Sequence, residues 1–435
     1  MRTFSVMGLL VGLFFSVPAL SADTVSWSLS EALEAARAAD PALERARISL
    51  VEALGERESG WNLFLPELQV GTSLARSMFD QGSSPWTSSL SASASLGITP
   101  GTADRLRRRS LDYEVARVAW LRREVELRQT VREQFYRVLL AEERLSIAGR
   151  NAALAGQQLE QVEALFEEGR ASELDLLEAR AAAIRGRPEV LSRRQALASD
   201  RARLKEITGL SPEDEIVLRG SIRIPEESIA SDLDPEKLRS LVLSESLEVE
   251  AVRLDLEHRR VTESVVAGDT RRPRLSAGYS YSPSFSPPFD PSEWGATESW
   301  QTGSLSFRLT MPLDPLIPRS EADNTIRAAR YDTEREELRL RETETSVRRQ
   351  AAELSDSLVF STERLSILEE ALEIARARYT GILSAFESGG VDLLDVENAR
   401  GSLEDSEVDL LQERFNIVTI IIELDALAGG ALLRE

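Results

Sequence analysis

The sequence contains no cysteine and a single histidine, His258, among its 435 residues. Without cysteine the chain forms no disulfide, so a large core or extensive helix pairing must hold it together. One isolated histidine and four methionines, one of them Met1, supply no cluster of transition-metal ligands. Catalysis would need a convergent nucleophile, base and stabiliser, which these residues do not offer. We therefore expect no metal site, no cofactor and no enzymatic activity.

Basic residues are in the minority. The chain has 52 lysines and arginines against 73 aspartates and glutamates, a formal net charge of -21. Such a charge repels the phosphate backbone of nucleic acids and is typical of a large solvated surface. The composition therefore argues against a nucleic-acid partner.

Long apolar runs are absent after residue 22. Before it, Arg2 precedes an apolar run from Phe4 to Leu20, and small residues follow at Ser21 and Ala22. This arrangement predicts a secretory signal peptide over residues 1–22. A transmembrane anchor is the rival interpretation, but the run is short for a span of about 20 residues. Any further contact with a bilayer must then use strands.

Proline is absent from residues 102–187 and from residues 319–435. Apolar residues recur there at helical spacing, with Glu and Arg on the other faces. The pattern predicts helices from about Asp104 to Glu167 and from Ser320 to Glu387. Because helices in globular proteins average about a dozen residues, helices of this length must pair as coiled coils or form the wall of a cylinder.

Four segments alternate apolar and polar residues with a period of two, which predicts strands. They lie at about 66–77, 87–99, 273–283 and 300–311. In the second segment Leu90, Leu96 and Ile98 alternate with serine and glycine. Each strand is about ten residues long, which is the length that crosses an outer membrane at a tilt.

The chain contains an internal repeat. Phe166-Glu167-x-Gly169 matches Phe386-Glu387-x-Gly389 without a gap, 220 positions apart (386 − 166). We divide the chain into a first repeat at 23–209, a linker at 210–234, a second repeat at 235–429 and a tail at 430–435. Each repeat contains a strand hairpin followed by a helical hairpin, whose turn lies near Gly169 or Gly389.

Four strands cannot close a barrel, and an open sheet edge in lipid leaves backbone groups unsatisfied. Two copies would give eight strands with a filled interior, whereas three copies would give twelve and leave a lumen. A homotrimer is therefore the smallest assembly that forms a conduit.

The order of elements, the opening SLSEALEAARAADPALERAR, and the turn motifs FEEGRASELDLLEAR and FESGGVDLLDVENAR resemble the TolC-like outer-membrane efflux proteins. The resemblance implies a mainly α fold with a small β part. It implies a long α-helical coiled-coil barrel through the periplasm, and four transmembrane strands per chain that complete a twelve-stranded β-barrel in a trimer. It also implies a periplasmic adaptor protein and an inner-membrane transporter as partners, together with outer-membrane lipid.

The resemblance also implies site residues. Adaptor contact falls on the hairpin tips, at Gly169, Arg170, Gly389 and Gly390. A pore constriction falls just past the turns, at Asp395, Asp175 and Asn398. An acid early in a helix is also favoured by the helix dipole alone, so the two aspartates have a purely structural interpretation as well.

The chain departs from the family pattern in two respects. Asn398 stands where family members have a further acidic residue of the constriction. Val391 and Phe386 stand where the best-known member has a basic residue and a tyrosine that latch its closed state. Arg170 is a candidate substitute partner for an aspartate.

The leading hypothesis is thus an outer-membrane exit duct of a tripartite efflux or type I secretion system. The alternative is a periplasmic coiled-coil scaffold or tether without a channel, which would explain the helices but not the strands.

Overall fold

The computed structural model describes residues 25–76, 86–222, 235–285 and 303–433. The predicted signal peptide and residues 223–234 of the predicted linker lie outside these ranges. The chain divides into two compact units. The first comprises the described parts of Met1–Ala39, Val131–Ile222 and Ala371–Phe415, and the second comprises those of Asp40–Thr130, Arg223–Glu370 and Asn416–Glu435.

Helices dominate both units, as the sequence predicts. Their bounds are α1 Leu29–Ala39, α2 Pro41–Glu58, α3 Thr102–Glu167, α4 Glu173–Thr208, α5 Pro235–Glu245, α6 Leu247–Arg271, α7 Glu321–Glu387 and α8 Leu393–Leu427. The two predicted long helices are confirmed as α3, with 66 residues, and α7, with 67 residues. At about 1.5 Å per residue, each is about 100 Å long. None of the helices in the described residues combines the length and apolarity needed to cross a membrane.

Two helices end on matched glycines in a left-handed conformation. Gly209 follows α4 with φ 71°, and Gly429 follows α8 with φ 64°. After each helix the glycine N–H and the next N–H donate to carbonyls three and five residues back, which is a Schellman motif. Glycine is needed here because a Cβ would strain this backbone conformation.

In the first unit, α1 packs along α4 beside a short parallel sheet. Strands β1 (Val25–Trp27) and β4 (Ile216–Leu218) form this sheet. Ala32, Leu33 and Ala36 form the buried face of α1. Part of the predicted linker is therefore a paired strand. The sequence did not predict this strand, because three residues are too few to show a period.

In the second unit, α5, α6, α7 and α8 share an apolar core that includes Val242, Val347 and Leu424. The residues after α8, as far as Leu433, pack against this core. The Oδ1 atom of buried Asp425 accepts hydrogen bonds from the backbone N–H groups of Leu432, at 2.9 Å, and Leu433, at 2.8 Å. The residues after α8 are thus held by a specific carboxylate rather than left as a solvated tail.

The second unit also contains the predicted strands. They are β2 Glu67–Arg76, β3 Trp86–Ile98, β5 Arg274–Tyr281 and β7 Gly303–Thr310, with the two-residue β6 Ser284–Phe285 beside β3. The four long strands form one antiparallel sheet in the order β2-β3-β5-β7. The central β3–β5 pairing joins the two hairpins into a single sheet.

The register of this sheet aligns residues of the same kind across all four strands. Leu68, Ala94, Tyr279 and Leu305 form one row of directly paired residues. The adjacent row consists of Gln69, Ser93, Ser280 and Ser304. Because successive side chains of a strand point to opposite faces, one face of the sheet is apolar and the other is polar.

Many side chains of the apolar face are exposed among the residues that the structure describes. Leu68 is 73% exposed and Phe307 is 72% exposed. On the polar face, serine hydroxyls bond across strands, with Oγ–Oγ distances of 2.7 Å for both Ser73–Ser89 and Ser280–Ser304. Several serine hydroxyls of the polar face thus find partners within the sheet, whereas large apolar side chains on the other face are exposed.

Replacing Gly209 by alanine tests the helix end. A Cβ at Gly209 would lie 2.5 Å from the Cβ of Ala39, in addition to the strain of its left-handed backbone. That conformation alone costs a non-glycine residue roughly 1–2 kcal/mol. We expect Gly209→Ala to lower the midpoint of thermal unfolding, measured by circular dichroism.

The matched control is Gly149→Ala, inside α3, where a Cβ meets nothing within 4 Å. Alanine is favoured over glycine there by up to about 1 kcal/mol. Equal midpoints for the two variants would contradict the proposed role of Gly209.

Candidate constriction and docking site at the helical hairpin tips

The two helical hairpins turn with the same backbone geometry. After α3, the N–H of Gly169 donates to the Phe166 carbonyl at 2.9 Å, and the N–H of Arg170 donates to the Leu165 carbonyl at 2.8 Å. After α7, Gly389 donates to Phe386 and Gly390 donates to Ala385 at the same two distances. These are again Schellman motifs. The sequence match at the turns is therefore a match of hydrogen bonds as well.

Glycine is required at positions 169 and 389 because of the backbone conformation there, and not because neighbouring atoms leave no space for a side chain. The φ angles of Gly169 and Gly389 are 73° and 80°, and a Cβ on either would meet nothing within 4 Å. The adjacent positions differ between the tips. Arg170 is exposed and lies 3.2 Å from the Glu168 carboxylate, whereas the second tip has Gly390. The tips thus present open backbone, with one cation at the first tip only.

Asp175 caps its own helix. The Ser172 hydroxyl accepts from the Asp175 N–H at 3.1 Å, and the Asp175 Oδ2 accepts from the Ser172 N–H at 2.8 Å and from its hydroxyl at 2.6 Å. This reciprocal pair is a capping box, which satisfies donors at the start of α4. The carboxylate is therefore engaged within its own turn.

Asp395 and Asn398 lie one helical turn apart on the exposed side of α8. Their neighbours Val396 and Ala399 are 0% and 1% exposed, so the opposite side of the helix is fixed in the core. Arg400, two residues after Asn398, is held by the Glu397 carboxylate at 2.6 Å and by the Asn151 carbonyl at 3.1 Å. Asp395 is thus presented outward on a well-anchored helix.

An apolar cluster brings the two tips together. Val162, Leu176, Ala179 and Leu393 are its buried members, and Phe386 packs against them. The hairpins therefore meet at their turns, so the predicted adaptor and constriction residues occupy one end of the first unit. Phe386 has a packing role here, which the sequence did not reveal.

Comparison with known proteins identifies the family. The family model described as outer membrane efflux protein matches residues 32–210 and 238–430. The chain belongs to the outer membrane efflux protein family. No match was found among curated protein sequences.

Solved structures show the same fold. The channel CusC superposes with a TM-score of 0.77 at 15% identity, covering 93% of this chain and 92% of the other. VceC of Vibrio cholerae gives a TM-score of 0.76 at 15% identity, covering 93% and 96%. The MtrE channel of Neisseria gonorrhoeae gives 0.72 at 16% identity, covering 94% and 90%.

Family membership decides between the two functions considered from the sequence. The chain is an outer-membrane efflux channel protein, with a long helical portion in the periplasm. The family consists of channels and not of enzymes. The scaffold or tether hypothesis also fails to explain the four-stranded sheet with its exposed apolar face.

The capping box gives the prediction for this site. Ser172→Ala removes a hydroxyl that caps α4, and losing such a cap costs about 1 kcal/mol. We therefore expect amide hydrogen exchange in the first turn of α4 to become about fivefold faster, as measured by mass spectrometry.

The control is Ser192→Ala, the same substitution at an exposed serine inside α4 and away from the cap, which should leave exchange in the first turn unchanged. Unchanged exchange in Ser172→Ala would mean that the capping box does not stabilise this helix start.

Proposed function

We propose that three copies of this chain form a passive outer-membrane duct. In this proposal a periplasmic adaptor protein and an inner-membrane transporter deliver the substrate, as in tripartite efflux or type I secretion. The observation that carries the proposal is the sheet of the second unit, with its exposed apolar face and two unpaired edges.

The sheet edges require other copies of the chain. Strands β2 and β7 are the outer strands, and neither pairs on its outer side with any described strand. In lipid each unpaired N–H and C=O costs several kcal/mol, so the edges must be paired. Pairing β7 of one copy with β2 of the next satisfies both edges, and three copies give twelve strands around a lumen.

The two faces of the sheet suit such a barrel. The row Leu68, Ala94, Tyr279 and Leu305 would face lipid, and the serine row beside it would face water. An alternation of this kind is typical of strands that separate acyl chains from a polar interior.

Exposed apolar stripes on the helices also favour a side-by-side assembly. Leu177, Ile184 and Leu191 repeat every seven residues on α4, and each is more than half exposed. A second heptad stripe on α7 consists of Phe360, Ile367 and Ile374, which are likewise more than half exposed. Heptad apolar stripes are the seams by which helices of neighbouring chains form coiled coils.

In this trimer the hairpin tips would form the periplasmic end of the duct. Asp395 would form an acidic ring at its constriction, with Asn398 one turn further along and Asp175 contributed by the first repeat. The adaptor would bind the open backbone of the turns, at Gly169, Arg170, Gly389 and Gly390. The division into repeats at 23–209 and 235–429 is part of the same proposal.

The duct itself would catalyse nothing and hold no cofactor or metal. Energy would come from the inner-membrane transporter through the adaptor, and the channel protein would supply only a gated path.

The lipid-facing assignment is tested on β7. Phe307→Arg places a charge on the proposed lipid face, where arginine costs about 2–4 kcal/mol at the bilayer midplane. We expect a large loss of heat-labile trimer from the outer-membrane fraction, measured by fractionation and unheated electrophoresis.

Ser306→Arg is the matched control, since the adjacent residue points to the opposite face, where Arg308 already lies. We expect this variant to assemble. If both variants behaved alike, the assignment of the two faces would be wrong.

The constriction is tested by single-channel recording with Asp395→Ala. Each carboxylate contributes about 1 kcal/mol of attraction to a cation at 4 Å in water, so divalent block should weaken roughly fivefold or more. Cation selectivity should fall in parallel.

Asp405→Ala removes an exposed carboxylate of the same helix ten residues further on, about 15 Å away. It should leave both properties unchanged. Normal divalent block and normal selectivity in Asp395→Ala would exclude an acidic ring at this position.

A further inference from the structure

Three of the eight residues that line a small cavity in the first unit are arginines. The cavity has a volume of about 250 Å³ and lies among α3, α4 and Phe415 of α8. Arg137 and Arg144 line it from α3, and Arg193 lines it from α4. Asp200 is the only acidic residue of the lining.

Arg144 lacks the counter-charge that comparable arginines have. Seven described arginines bury an Nε atom that has no hydrogen-bond partner. Six of these form an ion pair with a carboxylate: Arg105, Arg123, Arg128, Arg201, Arg239 and Arg400. Arg144 is the exception, since its one polar partner is the neutral side-chain oxygen of Gln412.

The surroundings of Arg144 disfavour its charge. Burial first, and the positive charge of Arg193 second, lower the pKa of the Arg144 guanidinium from its ordinary value. The Nε of Arg193 donates to the Glu189 carboxylate at 2.7 Å. Glu189 therefore offsets the charge of Arg193 and not that of Arg144. In the described part of the chain neither Arg137, Arg144 nor Asp200 forms an ion pair. A partly buried guanidinium without a counter-charge is unfavourable.

We propose that this cavity binds a small oxyanion of the phosphate type, held by Arg137, Arg144 and Arg193. Guanidinium groups present N–H donors in a planar fork that matches such oxygens. The bound anion would supply the missing counter-charge through the terminal N–H groups of these arginines. Asp200 stands at the same cavity as an acceptor for a protonated anion oxygen. The site is separate from the hairpin tips and does not rest on the proposed duct.

The experiment is isothermal titration calorimetry of inorganic phosphate into the purified full-length protein in detergent. Chloride at matched ionic strength is the blank. We expect about one phosphate per chain. Arg144→Gln, which keeps a polar group near Gln412, should weaken binding at least about tenfold, because it removes a charge-assisted hydrogen bond.

Arg194→Gln is the matched control, because this exposed arginine adjoins Arg193 but does not line the cavity. It should bind phosphate as the unchanged protein does. Arg137→Gln changes an exposed arginine, preserves the Gln412 contact, and should also weaken binding. This variant keeps the test decisive if Arg144→Gln fails to fold.

A thermal measurement separates anion binding from a purely structural role. Phosphate should raise the unfolding midpoint of the unchanged protein and of Arg194→Gln, but not that of Arg144→Gln. In phosphate-free buffer, Arg144→Gln should unfold no lower than the unchanged protein.

Two results would overturn the proposal. One is the absence of phosphate binding to the unchanged protein, which would be expected if a carboxylate of a neighbouring copy fills the cavity. The other is equal binding by Arg144→Gln and Arg194→Gln.

Discussion

Backbone hydrogen bonding at the edges of the four-stranded sheet is the constraint on which the arrangement of this protein depends. Within the sheet every long strand has a partner, and the register separates apolar rows from serine rows. Only β2 and β7 have unpaired outer sides among the described strands. A lipid environment does not tolerate such edges, because no water is present to bond them. In the proposed trimer this small sheet therefore determines how the chains associate.

Elements with strong local periodicity were predictable from the sequence. The long helices α3 and α7 follow from apolar spacing without proline, and the four long strands follow from a strict period of two. Pairing was harder. The contact of β3 with β5 joins residues 177 to 189 positions apart (275 − 98 and 281 − 92), and nothing local to either strand specifies it. The short strands β1 and β4 were missed because three residues carry no detectable period.

At the hairpin tips the backbone was more predictable than the side chains. Glycine at 169 and 389 marks the turns, because a left-handed residue is needed there. The spacing of Ser172 and Asp175 is that of a capping box and could have been recognised. By contrast, the packing of Phe386 between the hairpins and the isolation of Arg144 depend on contacts between helices. In the sequence of an arginine-rich helix, a partly buried arginine cannot be distinguished from the arginines that are exposed to solvent.

The serine rows of the sheet have a consequence for the interior of a closed barrel. Serine and glycine are among the smallest side chains, and several of these hydroxyls bond to an opposing serine or backbone carbonyl on the next strand. Side chains held flat against the wall project little and have few conformations. The free cross-section is then set by strand number and tilt. Where these rows line the lumen of the proposed barrel, the wall is smooth and offers passing molecules little to adhere to, and Gln69 and Arg308 are among its larger side chains.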